Sequence, residues 1–132
     1  MIKHSPEDLD FEISFYEGVL KKNPDFVNAL VVLGDAYTRR GRFQEGLLVD
    51  QRLVHLKPDD PIVHYNLACS YSLLEMSDAC LGALKEALRL GYRDFSLMEK
   101  DRDLIFIRND PRFQELVTTY GKKRAYKEKK LK

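Results

Sequence analysis

The chain has 132 residues and a net charge of +1, with 44% hydrophobic residues, 33% charged residues, seven glycines and five prolines. This length fits one domain with its own core, and this composition excludes a disordered chain and favours a helical one. No apolar run approaches the roughly 18 residues that cross a bilayer, and the N-terminus lacks the apolar core of a signal peptide, so we expect a cytoplasmic protein.

The first predicted helix begins at Ser5 and Pro6 and extends to about Lys22. Serine is a preferred N-cap because its hydroxyl accepts a hydrogen bond from a free N–H of the first turn, and proline suits the first helical position. The helix ends in the segment KKNPDF, where a proline disfavours helical geometry in the residue before it.

Two helix pairs come next, in residue numbers 25–40 with 43–57 and 60–74 with 77–90. Gly41 turns the chain inside the first pair, and Pro58 ends that pair because helices stop before proline. Ser77 is the expected N-cap of the fourth segment, and Gly91 is its expected C-terminal cap.

A shift of 34 residues superimposes the two pairs, large residue on large and small on small: Pro24 on Pro58, Leu33 on Leu67, Gly34 on Ala68, Tyr37 on Tyr71, and Gly46 on Cys80. Such self-similarity indicates a helical repeat. Gly34 lies inside a predicted helix, where glycine costs about 1 kcal/mol relative to alanine. We therefore predict that the next helix approaches closely at Gly34 and that packing offsets this cost.

The order of leucine, small residue, tyrosine, turn, small residue and proline resembles the tetratricopeptide repeat (TPR) over about residues 9–91. The resemblance implies an all-α fold, a short right-handed α-solenoid of antiparallel helix pairs, with two full repeats and an N-terminal capping helix. Its structural positions are Leu33, Gly34, Tyr37, Gly46, Pro58, Leu67, Ala68, Tyr71, Cys80 and Ala87. Tyr92 stands where the closing proline of a repeat is common, so the regular array stops there.

The expected organisation is a single domain, 1–132, with a capping helix 6–23, repeats 24–57 and 58–91, a closing segment and helix 92–120, and a basic tail 121–132. In the closing segment, residues 104–107 have strand propensity, but the sequence offers no partner strand, so a buried helical turn or loop is favoured. Asp110 and Pro111 predict the start of a last helix.

No motif predicts catalysis, a cofactor or a metal site, and we expect a non-enzyme. The candidate groups are explained by packing, caps and charged turns: His4, His55, His64, Cys69, Cys80, Asp101 and Asp103. The histidines lack the short helical spacing of a metal site, and the two cysteines lack a Cys-x-x-Cys spacing.

The resemblance implies binding on a concave face, which the first helix of each pair lines. The positions carried over are Asn28, Val31, Asp35, Thr38 and Arg39 in the first repeat, and Ile62, Tyr65, Cys69, Ser72 and Leu73 in the second. The expected function is a non-catalytic protein–protein interaction module, an adaptor or scaffold that binds a peptide or partner protein. The alternative is a self-associating structural module, whose apolar groove is filled by a second copy or by its own ending, from Phe95, Leu97 or Phe106.

Charge is unevenly distributed along the chain, because the C-terminal tail is strongly basic. Residues 121–132 carry seven basic side chains and one acidic one, a net charge of +6, so residues 1–120 sum to −5. Such a tail is typical of nucleic-acid or anionic-surface binding, and also of a solvated helix extension, since a helix C-terminus favours cations. The acidic body makes nucleic acid the less favoured partner.

Overall fold

A computed structural model describes the backbone of residues 5–131 and the side chains of residues 5–121. The helices are α1 (Pro6–Lys22), α2 (Val27–Arg40), α3 (Phe43–Leu56), α4 (Pro61–Leu73), α5 (Ser77–Arg89), α6 (Phe95–Lys100), a 3₁₀ turn (Arg102–Leu104), α7 (Ile105–Arg108) and α8 (Pro111–Leu131). The backbone from 5 to 131 contains no strand, and the helices pack in sequential antiparallel pairs, so the predicted all-α fold is confirmed. None of the helices described is long and apolar enough to span a membrane.

The chain divides into two compact units, which we call the N-terminal unit, Met1–Asp59, and the C-terminal unit, Asp60–Lys132. In the N-terminal unit α1 packs on α2, and α2 packs on α3. In the C-terminal unit α4 packs on α5, and the segments after α5 pack against both. The assignment of the chain as a single domain with two full repeats stays a prediction.

The start of α1 is a capping box. The Ser5 hydroxyl accepts the Asp8 N–H at 3.2 Å, and the Ser5 N–H donates to the Asp8 carboxylate at 3.3 Å. These bonds satisfy N–H groups that the first turn of a helix leaves free. The predicted start of this helix is confirmed, and its buried residues, Leu9 and Ile13, are one turn apart on the side that packs on α2.

Two glycines bring α2 and α3 together. A Cβ atom at Gly34 would lie 3.1 Å from Val49 Cγ1 and 3.4 Å from Asp50 Oδ1, both on α3. A Cβ atom at Gly46 of α3 would lie 3.1 Å from Thr38 Oγ1 on α2. The predicted close approach at Gly34 is therefore confirmed. That packing offsets the helical cost of glycine stays a prediction.

The C-terminal unit continues as short helical segments after α5. Leu104 ends the 3₁₀ turn and Ile107 lies in α7, and both side chains are fully buried where these segments pack against α4. The predicted helical turn at 104–107 is confirmed, but only Leu104 and Ile107 are buried, since Ile105 and Phe106 are exposed. The strand that the propensity of this segment favoured is not formed.

Three helix ends test the capping and proline signals in the sequence. Ser77 is not the N-cap of α5, because the first bond of that helix runs from the Cys80 N–H to the Met76 carbonyl, which makes Ser77 the first helical residue. Gly91 lies just after α5 with φ +112°, as a C-terminal cap requires. Pro111 begins α8 as predicted, and the helix continues beyond Tyr120 to Leu131.

Candidate functional site

The predicted binding positions of the first repeat lie along one side of α2, which we call the α2 face: Asn28, Val31, Asp35, Thr38 and Arg39. Val31 is 47% exposed in the middle of the helix, and Asn28 and Asp35 on either side of it are exposed polar residues. The Arg39 guanidinium lies 3.1 Å from the Asp35 carboxylate, an exposed pair four residues apart. The face therefore offers one apolar side chain between hydrogen-bonding groups.

Thr38 is only partly exposed, and its hydroxyl lies at the contact with Gly46 of α3. It therefore belongs partly to the packing between α2 and α3.

The aligned positions of the second repeat, which we call the α4 face, are Ile62, Tyr65, Cys69, Ser72 and Leu73. Tyr65 is only 4% exposed, and Cys69 and Ser72 are buried as well. Ile62, at the first turn of α4, is exposed, and Leu73 at its end is half-buried. Most of this predicted surface is therefore core in the C-terminal unit.

The ending of the chain covers the α4 face. The Tyr92 ring stacks on the Tyr65 ring, with centroids 4.3 Å apart and planes 5° from parallel. The Tyr65 hydroxyl donates to Asp101 Oδ2 at 2.7 Å, and Cys69 Sγ lies 3.9 Å from the same oxygen. Tyr92 belongs to the turn after α5, and Asp101 is the residue directly after α6.

For the alternative of a self-filled groove, the sequence names Phe95, Leu97 or Phe106 as the filling residues. Leu97 and Phe106 are exposed and Phe95 is half-buried. Tyr92 covers Tyr65, because it comes directly after the turn at Gly91, which returns the chain to α4. The one sequence signal is the aromatic residue at the position where a closing proline is common.

Burial keeps the hydroxyls of Tyr65 and Tyr92 and the thiol of Cys69 protonated. It raises the pKa of the Tyr65 hydroxyl well above its ordinary value, and the nearby Cys69 and Asp101 act in the same direction. Burial, with Asp101 and Asp103, also raises the pKa of the Cys69 thiol well above its ordinary value. Burial raises the pKa of Tyr92 to about 12. Because the thiolate is the nucleophilic form of cysteine, Cys69 is not an activated nucleophile at neutral pH.

Cys69, Asp101 and Asp103 place one potential metal-ligand atom each within 4.8 Å of one another. The Asp101 carboxylate is already engaged at both oxygens: Oδ2 accepts from Tyr65 at 2.7 Å, and Oδ1 accepts from the Asp103 N–H at 3.0 Å. The second bond caps the 3₁₀ turn. This geometry is that of the charged turn that the sequence offers as one explanation of the two carboxylates.

Of the three histidines, His64 is buried in α4, His55 is exposed on α3, and His4 lies outside the described residues. The basic side chains beyond Gly121 also lie outside the described residues, so nucleic-acid binding by the tail stays a prediction.

Sequence reasoning missed a groove between α5 and α8 in the C-terminal unit, which we call the α5–α8 groove. Its volume is about 430 Å³, and Leu81, Leu116 and Tyr120 contribute its apolar floor. Lys85 and Gly82 line the side formed by α5. Phe113, Leu116, Val117 and Tyr120 have the apolar spacing of a helix, but only the structure shows that α8 packs against α5.

No model of a known protein family matches the chain. The chain is similar to a curated chloroplastic protein of Arabidopsis thaliana, with 33% identity over 90 residues, which cover 66% of this chain and 27% of that protein. The chain thus spans about a quarter of the length of this curated relative, a distant homologue. That protein's name refers to the chloroplast, so a cytoplasmic location of this chain stays a prediction.

Proposed function

We propose that the chain is a TPR-type, non-catalytic interaction module that binds a partner protein on the α2 face. The observation that carries this proposal is Val31, an apolar side chain that is 47% exposed in the middle of α2. The repeat at 34 residues, the paired helices and the distant relationship to the Arabidopsis protein support the TPR-type assignment.

The α2 face would bind by burying one apolar anchor of the partner against Val31. Asn28 presents an amide that can donate and accept hydrogen bonds, and the exposed Asp35 carboxylate can accept them. The pair formed by Asp35 and Arg39 is exposed, so it contributes little to stability. Its charges are better suited to fixing the register and direction of a bound segment.

The α4 face supports a different role, because the ending of the chain already occupies it. Tyr65, Cys69 and Ser72 contribute to the core of the C-terminal unit instead of a binding surface. This observation favours, for that unit, the alternative of a groove filled by its own C-terminal segment. Binding and core formation are thus assigned to equivalent helices of the two repeats.

The test compares two exposed apolar residues of the same unit. Val31→Asp places a charge in the α2 face, and Leu48→Asp makes the same kind of change on α3, where Leu48 is 65% exposed. In pull-downs from the native host, the wild type and Leu48→Asp are expected to recover the same specific protein, which Val31→Asp loses. Equal melting temperatures of the three proteins verify folding. Full recovery by Val31→Asp would refute binding at the α2 face.

A further inference from the structure

The first helix has an apolar surface that its own unit does not use. Phe11 is 73% exposed and Phe15 is 55% exposed. They are four residues apart and therefore adjacent on one side of α1, away from the buried Leu9 and Ile13. Two exposed phenylalanines one turn apart are anchors of the kind that an amphipathic helix inserts into a groove.

The charges of α1 are separated along its axis. Residues 5–20 contain five acidic side chains and no lysine or arginine, whereas Lys21 and Lys22 end the helix. Two of the acids are engaged with α2: Asp10 pairs with Arg40 at 2.8 Å, and Glu17 accepts a hydrogen bond from Tyr37. Glu7 and Asp8, one turn before Phe11, are exposed and leave the N-terminal end of the phenylalanine surface acidic.

The α5–α8 groove has the complementary features. Its floor is apolar, and its volume of about 430 Å³ lies in the range of sites that enclose ligand groups. A Cβ atom at Gly82 would meet nothing within 4 Å, so this side of the groove is open. Among the side chains described, no ion pair involves Lys85 or Glu115, so the groove offers one cation and one anion besides Arg112, which pairs with Asp78 and Asp110.

The charge along α8 is also separated. Asp110 precedes its first turn, and Asp78 of α5 pairs with Arg112 at 2.9 Å, so carboxylates surround the N-terminal end of the groove. Beyond Tyr120 the helix continues to Leu131, through a sequence in which basic residues far outnumber acidic ones. If α1 lies antiparallel to α8, its acidic N-terminal half is therefore near the basic C-terminal sequence of α8, and its two lysines are near the carboxylates at the N-terminal end of α8.

We propose that α1 of one copy of this chain docks in the α5–α8 groove of a second copy, with Phe11 and Phe15 as its anchors. In the antiparallel orientation, the end of α1 that carries Glu7 and Asp8 lies toward the C-terminal end of α8, and the end that carries the two lysines lies toward Asp78 and Asp110. The opposed helix dipoles favour the same orientation.

This contact joins two different surfaces, so it is heterologous, and each copy keeps one unused α1 and one unused groove. Association therefore proceeds head to tail beyond the dimer unless a ring closes. The contact does not involve the α2 face, so self-association and partner binding can be tested separately.

The experiment measures mass by light scattering after size exclusion, between micromolar and millimolar concentrations of the full chain. The α1 variant is Phe11→Glu with Phe15→Glu, and the groove variant is Gly82→Phe, which fills open space. Leu48→Glu is the matched control, because it changes an equally exposed apolar residue on α3. All these positions are exposed, and circular dichroism verifies the folds.

The wild type and Leu48→Glu are expected to increase in mass above 15.4 kDa with concentration, and less so at high salt. The α1 variant and the groove variant each stay at 15.4 kDa alone. Mixed together they form a complex of one copy of each and no larger species, because one retains its groove and the other its α1. A monomeric wild type overturns the proposal. The proposal is also overturned if either variant alone still associates. It is equally overturned if the mixture of the two variants stays monomeric while the wild type associates.

Discussion

Aligned residues of α2 and α4 have opposite environments. Val31 aligns with Tyr65 and Asp35 with Cys69, yet the first of each pair is exposed and the second is buried. The two helices begin and end at nearly equivalent positions, so the difference does not come from the helices themselves. It comes from the segments after α5, because residues beyond Gly91 return to cover α4. The spacing of a repeat thus determines which residues share a helix side, and the rest of the chain determines whether that side is a surface.

The largest expected effect is the difference in stability between alanine substitutions at the aligned pair. Tyr65→Ala removes a buried ring stacked on Tyr92 and a hydrogen bond to Asp101, and should lower the free energy of unfolding by roughly 3–5 kcal/mol. Val31→Ala, on an exposed site, should change it by less than about 0.5 kcal/mol. Urea unfolding of both variants measures the difference. Similar values for the two would contradict the assignment of one side as core and the other as surface.

In contrast, the small residues at the aligned positions Gly34 and Ala68 should respond alike to a larger side chain. Gly34→Leu forces a side chain against Val49. Ala68→Leu enlarges a side chain at a position that is fully buried. Overpacking of this kind should cost roughly 1–3 kcal/mol at each site. Thermal unfolding provides the measurement. If Gly34→Leu melts like the wild type, the close approach of α2 and α3 does not explain that glycine.

The smallest expected effect concerns the surface pair that joins α1 to α2. The hydrogen bond from Arg40 holds the pKa of Asp10 below its ordinary value of 3.8. A carboxyl whose pKa is lower in the folded than in the unfolded chain stabilises the fold at pH values above the unfolded pKa. This contribution is lost as the pH falls through the folded pKa. The wild type should therefore lose slightly more stability on acidification than Arg40→Ala does. Identical acid profiles of melting temperature would show that the pair contributes nothing.

Much of the fold is determined by local signals in the sequence. Ser5 and Pro6 start α1, Gly41 turns the chain with φ +84°, and Pro61 begins α4 after its N-cap Asp60. Each signal acts within a few residues, through a free N–H or a restricted backbone angle. Ser77 shows the limit, because a good capping residue one position too late becomes the first residue of the helix instead.

The site could be predicted only in part, for a different physical reason. The resemblance grouped Tyr65, Cys69 and Ser72 on one side of a helix, but burial depends on contacts with residues far along the chain. The hydrogen bond between Tyr65 and Asp101 spans 36 positions, and no local preference of either residue encodes it. The α5–α8 groove likewise depends on where α8 packs, which its apolar spacing alone does not specify.

Thiol labelling tests the difference between the two helices most directly. Asp35→Cys places a thiol on α2 at the position that aligns with Cys69, and its reaction with a maleimide under native conditions at neutral pH is located by peptide mass analysis. We expect rapid labelling at position 35 and none at Cys69 or Cys80 until the protein is unfolded, because both native thiols are buried and have raised pKa values. Comparable native labelling at positions 35 and 69 would contradict the claim that the chain's own ending closes the α4 face while the α2 face stays open.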